Sequence, residues 1–502
     1  MSGEQLIIAA LIVPLFCTAG VWAFRGAPDV RETVTVISAI TLFVVAISMA
    51  LRVSGGDAPE WEAIRAAEGF AFAFKLEPLG AMFACIASGL WILNSIYSIG
   101  YMRGSKEKNQ TRFYMCFGVA LFAAMGVAMS ANLFTLFVFY EVLTFSTYPL
   151  VAHKGDENAR RGARIYLTTL VGTSVGLLLV AIVGTYVVTG MTPDGFDAAQ
   201  ATTEFTLGGV LEGKASPLVG SVLLLLFAFG IGKAALMPFH FWLPNAMVAP
   251  TPVSALLHAV AVVKAGVFTV LKVASYIFGQ DYLASIPGQD IVLVVGCFTI
   301  IVSSLIALTK DNLKARLAYS TISQLSYVTV GAMLATSAGM MGGALQIAMH
   351  AMGKITLFMC AGAIYVATGM TNISQMRGLG KRMPIVFGCF FLATLSIIGV
   401  PPLGGSWAKY QLMLGALDAD KAYVAWTLII SSILNVAYLI PISILALMPP
   451  AGSAPVASFK TPNGTPSLAV LPPLITAIGC IVLFFGVNVL YDFLSPVFGG
   501  RP

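Results

Sequence analysis

The sequence predicts an all-α polytopic membrane protein of about 14 transmembrane helices, and three observations carry that expectation. The 502 residues are 58% hydrophobic and only 10% charged, against roughly 45–50% apolar and ~25% charged in a soluble domain. The mean hydropathy is +0.89. Apolar stretches of about 20 residues, the length that crosses a bilayer, recur from one end of the chain to the other. Lys and Arg cluster in alternate connections between those stretches.

The first stretch, 4–24, follows a start that lacks basic residues and carries Glu4, so it reads as a retained span and not a cleaved signal. With 33–51 and 78–101 it makes an N-terminal segment, 1–111. The stretches at 112–130, 132–152, 164–189, 217–238 and 252–276 form a first group of five, 112–276. Those at 289–309, 317–337, 340–369, 384–414 and 421–448 form a second, 289–448, and 468–496 lies in the closing segment, 468–502. The stretches that begin at 384 and 421 are long enough to tilt or break.

The odd-numbered connections hold Arg25 and Arg31, Arg103 to Arg112, Lys154 to Arg164, Lys310 to Arg316, Arg377 to Arg382, and Lys460. The even-numbered ones and the tail hold only Arg52, Arg65, Lys75, Lys214, Lys421 and Arg501. The positive-inside rule places the first set in the cytoplasm and both termini on the outer, periplasmic side of a bacterial plasma membrane. The net charge of +6 is then a topology signal, and nucleic acid is excluded as a partner; the lipid bilayer is the expected surrounding. Cys17, Cys85, Cys116, Cys297, Cys360, Cys389 and Cys480 all lie in apolar stretches without metal-ligand spacing, and read as small buried hydrophobes. No metal and no cofactor is expected.

Five lysines remain, all inside predicted spans: Lys233, Lys264, Lys272, Lys354 and Lys409. One acid, Glu141, lies near a span centre. Each charge at mid-membrane costs roughly 2.5–3.5 kcal/mol, so six left unpaired would cost on the order of 15–20 kcal/mol. They are therefore expected to face one another or water inside the bundle. Lys272 is near enough to a span end for its stem to snorkel to the interface. Glu141 and Lys233 are candidates for an ion pair, and the other lysines have no acid left to join. Lysine titrates near 10.4 in water; burial lowers that value and a nearby carboxylate raises it. A buried lysine row is thus a set of proton sites gated by the distance to an acid.

Two of the lysine-bearing spans read as broken. Pro238 follows Lys233, and Pro401, Pro402, Gly404 and Gly405 precede Lys409. A proline break in lipid persists only where protein or a hydrated cavity surrounds it, and paired broken spans point to a transport site. His350 and Lys354, spaced i, i+4, share a helix face. His258 and Lys264 are six apart, which on an ideal helix is not one face. Both histidines are relay candidates beside their lysines; His240 falls in the first break and His153 in a loop. Each group of five thus holds a broken helix with one lysine and an intact helix with His and Lys. An odd number of spans separates the groups, so they are expected to be inverted.

Seven stretches, FKLEPLGAMF (74–83), YSIGYMRG (97–104), FVFYEVLTFSTYPLVAH (137–153), GKAALMPFHFWLPNAMVAPTPVSALLHAVAVVKAG (232–266), KDNLKARLAYSTISQLSY (310–327), HAMGKITLF (350–358) and PPLGGSWAKYQL (401–412), resemble the antiporter-like subunits of respiratory complex I, membrane hydrogenases and Mrp-type cation/proton antiporters. The resemblance covers most of the chain and is strongest in 232–266. It implies fourteen helices with two inverted five-helix repeats, Glu141 and Lys233 as a coupling pair, Lys264 as central relay, Lys354 beyond it and Lys409 at the end. The pattern is most similar to the D-subunit branch of the Mrp type, because the twelfth helix carries lysine and the chain stops soon after the fourteenth span. Glu77 stands where the family has aspartate, and GSWAK replaces its commoner GFxxK.

The expected function is proton translocation within a multisubunit monovalent cation (Na+ or K+)/proton antiporter, with other membrane subunits as partners. No intramembrane carboxylate cluster offers a Na+ site, so the exchanged cation is left open. The alternatives are a proton-pumping subunit of a complex I-like oxidoreductase or membrane-bound hydrogenase, for which the chain has no flavin, Fe–S or dinucleotide motif of its own, and a membrane subunit of a bicarbonate-uptake complex. A non-transporting scaffold is the reading furthest from these.

Overall fold

The computed structural model describes residues 1–67, 70–449 and 466–499; Lys460 and Arg501 of the charge pattern lie outside them. Within the described residues, eleven helices are long and apolar enough to cross a membrane. The other predicted spans take different forms. Leu313–Met333 is a full-length but more polar helix. Pro217–Gly230 and Pro384–Ile398 stop at breaks. One of the eleven, Ser467–Phe485, reaches a bend at Gly486, and Val487–Phe498 follows. Local chemistry sets many of the starts. Asn132, Asp156, Ser216, Asn312 and Thr336 each accept a backbone N–H of the first turn, and Pro28, Pro78, Pro217 and Pro384 occupy first-turn positions where no N–H is missed.

Hydrogen bonds sort the connections into two ends. At one end Arg31 donates to Gln110 at 3.0 Å and Thr111 at 3.1 Å, and Arg112 to the His153 carbonyl at 3.2 Å. Lys314 donates to Ala249 O at 2.5 Å, and Ser374 to Asp311 at 2.7 Å. These residues belong to odd-numbered connections. At the other end Ala131 N bonds Ala73 O, Phe205 N bonds Ala131 O, and Val210 N bonds Ile277 O. Arg52 reaches Met1 O at 2.7 Å, and Val497 shares a cavity wall with Glu60. The even-numbered connections and both chain ends therefore meet there.

Two helices form the centre. Thr251–Phe278 and Ser337–Thr368 are buried almost all round, whereas Gly3–Ala23, Pro28–Ser54 and Glu157–Gly190 are buried along one side only and turn apolar faces outward. The central pair is also where the buried lysines and histidines concentrate. All seven cysteines are free thiols.

The fold is all-helical with two small exceptions. Glu60–Ala67 and Phe70–Lys75 form an antiparallel hairpin, and Met191–Thr192 pairs with Gly195–Phe196. The alternating aromatic run FAFAFK is a period-2 pattern between spans, and the helix count left no place for it. The second correction concerns Thr251–Phe278, expected to be an intact helix. Residues Leu256–Val260 widen into a π turn in which Ala261 N bonds Leu256 O at 3.0 Å, so the ideal-helix spacing of His258 and Lys264 does not apply.

Candidate functional site

The first break lies earlier than its prolines suggest. Pro217–Gly230 ends before Lys233, a 3-10 turn covers Gly232–Ala234, and Ala235 is left-handed with φ 56°. Pro238 is downstream of the break. The cause is close packing around small residues: a Cβ at Gly230 would collide with the Leu178 backbone, and one at Gly266 with the Lys233–Ala234 peptide. The freed backbone groups find side chains. Lys233 N donates to the Tyr140 hydroxyl at 3.0 Å, and Trp242 Nε1 donates to Gly232 O at 3.0 Å. In lipid such groups have to be satisfied internally.

Lys233 is fully buried. Its ammonium donates to Tyr140 O at 2.8 Å and Thr144 Oγ1 at 2.6 Å, and lies 3.2 Å from the centre of the Tyr140 ring. Glu141, on the same helix as Tyr140 and Thr144, acts on Lys233 electrostatically, yet no ion pair joins them among the described residues. Both Glu141 oxygens are inaccessible and accept no hydrogen bond from the protein. The expected pair is present as neighbours held apart.

At the centre, Lys264 Nζ lies 2.7 Å from His350 Nδ1, across two different helices. His258 packs on Phe358 at 4.5 Å, and neither of its nitrogens has a hydrogen-bond partner. Lys264 and Lys354 both act on its charge state. Lys354 donates to Ser320 Oγ at 2.6 Å and more loosely to Leu317 O at 3.4 Å.

The second break is built differently. Pro384–Ile398 ends on Gly399, whose φ of +90° suits glycine. Pro401 and Pro402 sit in the gap, and Gly405–Asp418 follows. Lys409, in that second half-helix, reaches back to Ile398 O at 2.7 Å and to Ser432 Oγ at 2.8 Å. An ammonium at an open helix C-terminus meets both unpaired carbonyls and the negative end of the helix dipole.

Lys272 corrects the snorkelling expectation. It is fully buried, forms an ion pair with Glu77, and donates to Ser130 O at 2.7 Å. Glu77 immediately precedes Pro78–Gly104 and is 7% exposed. Counting acids near span centres passed over it because it lies at a span end, where tertiary packing buries it. His240, expected in the first break, lies downstream of it, past Pro238, with Nδ1 3.3 Å from Pro238 O.

Residues 130–435 match the family described as NADH:quinone oxidoreductase/Mrp antiporter, and residues 66–114 match the NADH-ubiquinone oxidoreductase (complex I) chain 5 N-terminus. The chain belongs to this family. Glu141, Lys233, His258, Lys264, His350, Lys354 and Lys409 all fall inside the antiporter-family region. A NAD(P)H-quinone oxidoreductase chain 5 of Synechocystis sp. is 33% identical over 370 residues, covering 70% of this chain and 51% of that protein. A probable K(+)/H(+) antiporter protein of Rhizobium meliloti is 33% identical over 357 residues, covering 70% of this chain and 33% of that protein. The chain thus spans about half or less of the length of these curated relatives. An Mrp complex from Dietzia sp. contains a chain matching with TM-score 0.83 at 22% identity, covering 99% of this chain and 97% of that one. The membrane-bound sulfane sulfur reductase, an archaeal respiratory membrane complex, gives 0.80 at 22%, covering 99% and 98%. At that identity the likeness is one of fold.

In this antiporter-family chain, reasoning from charge alone missed the polar partners. Tyr140, Thr144, Ser320 and Ser432 are all span residues of ordinary type. Only their position beside a lysine sets them apart, and no sequence spacing announces it.

Proposed function

We propose that this chain carries protons across the membrane along the row Glu141, Lys233, Lys264 with His258 and His350, Lys354 and Lys409, as one component of a multisubunit monovalent cation/proton antiporter. The observation that supports it is the nature of the lysine partners. Lys272 is held by the Glu77 carboxylate, which favours the ammonium form alone. The four lysines of the row are held instead by hydroxyls, backbone carbonyls and an imidazole. Carbonyls accept from an ammonium or an amine, and hydroxyls and imidazole can donate as well as accept. Such surroundings tolerate the arrival and departure of a proton, which a static ion pair does not.

Glu141 sets the direction of transfer at the first break. Moved onto Lys233, its carboxylate strengthens the hold of that lysine on its proton; moved away, it releases the proton towards Lys264. In this reading 112–276 and 289–448 are the two inverted repeats, 1–111 and 468–502 flank them, and each repeat contributes one break and one His/Lys helix. The end of the bundle bearing the odd-numbered connections faces the cytoplasm of a bacterial cell, with both termini outside.

A second reading is a proton-transducing module of a quinone oxidoreductase, and a specific observation favours keeping it: the quinone-oxidoreductase and antiporter relatives are equally similar, at 33%. Isolation of the native complex with identification of its subunits separates the two. The proton role itself is tested in that complex, reconstituted into vesicles with a pH-sensitive dye. Lys233→Ala or Glu141→Ala should abolish proton-coupled transport with the complex still assembled; transport at the wild-type rate in either variant ends the proposal.

A further inference from the structure

The row has a long interval between Lys354, on Ser337–Thr368, and Lys409, beyond the second break. Buried polar side chains fill it. Lys354 donates to Ser320 Oγ at 2.6 Å, and the Tyr438 hydroxyl lies 2.9 Å from the same oxygen. The Tyr438 hydroxyl also contacts Asn435 Oδ1. At the far end, Ser432 Oγ accepts from Lys409 at 2.8 Å, and the Lys409 ammonium is 5.2 Å from the centre of the Tyr327 ring. Between them, the Tyr327 hydroxyl faces Asn435, Ser431 and Ser432. Tyr327 is completely buried, and its hydroxyl lies beside these groups and Gln324 without a well-formed hydrogen bond to any of them. A buried hydroxyl held so loosely in the middle of a polar cluster calls for a role.

Building on the proton-transfer reading, we propose that Ser320, Tyr438, Tyr327 and Ser432 form a hydroxyl wire that carries protons between Lys354 and Lys409, with Asn435 orienting the Tyr438 hydroxyl. The geometry gives the wire a polarity. Tyr438 has one proton and two acceptors within reach, Ser320 Oγ and Asn435 Oδ1. With that proton on Asn435, Ser320 donates to Tyr438 and accepts from Lys354, so both hydroxyls point away from Lys354. Rotation of Tyr438 towards Ser320 reverses its direction. Forward transfer needs the Tyr438 and Tyr327 hydroxyls, neighbours that are not hydrogen-bonded in this arrangement, to turn to one another; the Lys354 ammonium then gives its proton to Ser320, Ser320 gives its own to Tyr438, Tyr438 to Tyr327, Tyr327 to Ser432 and Ser432 to the Lys409 amine. One N–H breaks at Lys354, one N–H forms at Lys409, and each hydroxyl has lost one proton and gained one. The loosely held Tyr327 hydroxyl is the switch: it completes the wire when it turns to both neighbours and interrupts it when it turns to neither. Asn435 is a positioning residue, since an amide oxygen holds a hydroxyl but does not readily pass on a proton.

The test uses the intact complex in vesicles. Tyr438→Phe and Tyr327→Phe each remove one hydroxyl with little change of volume, and Ser432→Ala removes one at a partly buried position. Each should slow proton transport at least tenfold with the amount of assembled complex unchanged. The slowing should carry an altered D2O/H2O rate ratio, which a packing defect does not produce, and Ser432→Thr should restore the rate. Should a tyrosine variant fail to assemble, Ser432→Ala and the isotope ratio still decide. Wild-type rates in assembled Tyr327→Phe and Ser432→Ala complexes, alongside inactive Lys354→Ala and Lys409→Ala, overturn the wire and leave the lysine row standing. Wild-type rates in the two lysine variants overturn the row itself.

Discussion

Lys264 Nζ and His350 Nδ1 meet at 2.7 Å, joining the two most buried helices through groups 86 positions apart in the chain. On the proton-relay proposal the contact makes the two side chains one unit. Lys264→Met and His350→Ala should therefore each reduce proton transport tenfold or more. The double variant should be no worse than the more severe single one, because residues that act as a unit are not additive. Rates measured in vesicles at equal complex content check this; two independent, multiplying losses would show that the contact is incidental.

The Glu77–Lys272 pair behaves as a buried structural ion pair. Lys272→Met alone leaves a buried carboxylate without its partner and should lower stability by about 3–5 kcal/mol. Glu77→Gln alone should cost a similar amount, whereas Glu77→Gln with Lys272→Met should recover most of the loss. Thermal unfolding of the detergent-solubilised protein measures all three, and a double variant as unstable as the singles would contradict the assignment.

Gly266 lies against the peptide that carries Lys233, and a Cβ there meets backbone, not a flexible side chain. Gly266→Ala should push the Thr251–Phe278 helix off the break and displace Lys233. Overpacking of this kind costs typically about 1–3 kcal/mol. Transport should fall further than stability does, because the ammonium leaves Thr144. Gly172→Ala, at a glycine with open space around it, is the matched control and should change neither.

His153, in the turn after Leu133–Val151, gives a pH prediction outside the membrane. Burial first, and then Arg112, pushes its imidazole down to about 4, so it is neutral in the folded protein at pH 7. Between about 6.5 and about 4 the unfolded chain holds a proton there that the folded chain does not. Stability therefore falls as the pH drops through that window and levels off below it, by at most about 3 kcal/mol. His153→Gln should flatten that part of the Tm–pH curve; an unchanged curve would mean that His153 is solvated in the folded protein.

The helices were legible because crossing a bilayer demands long apolar runs, and the lysines because charge in such runs is costly. The breaks were legible only in part. Pro401 and Pro402 mark the second one where it occurs, but the first begins at Gly230 because Leu178 and Gly266 approach from other helices. Lys272 was misread because the acid that neutralises it, Glu77, lies 195 positions earlier and at a span end. The β-hairpin at 60–75 was missed because a count of apolar lengths is blind to alternation.

By itself, the sequence determined that the chain crosses a membrane many times, which connections share a side, and which charges lie within the spans. Those follow from transfer free energies, which act residue by residue along the chain. Tertiary structure alone decided what each lysine touches: Tyr140 and Thr144 for Lys233, His350 for Lys264, Ser320 for Lys354, Ile398 and Ser432 for Lys409, Glu77 for Lys272. A hydrogen bond depends on a few tenths of an ångström between helices far apart in the chain, and no one-dimensional pattern encodes that distance.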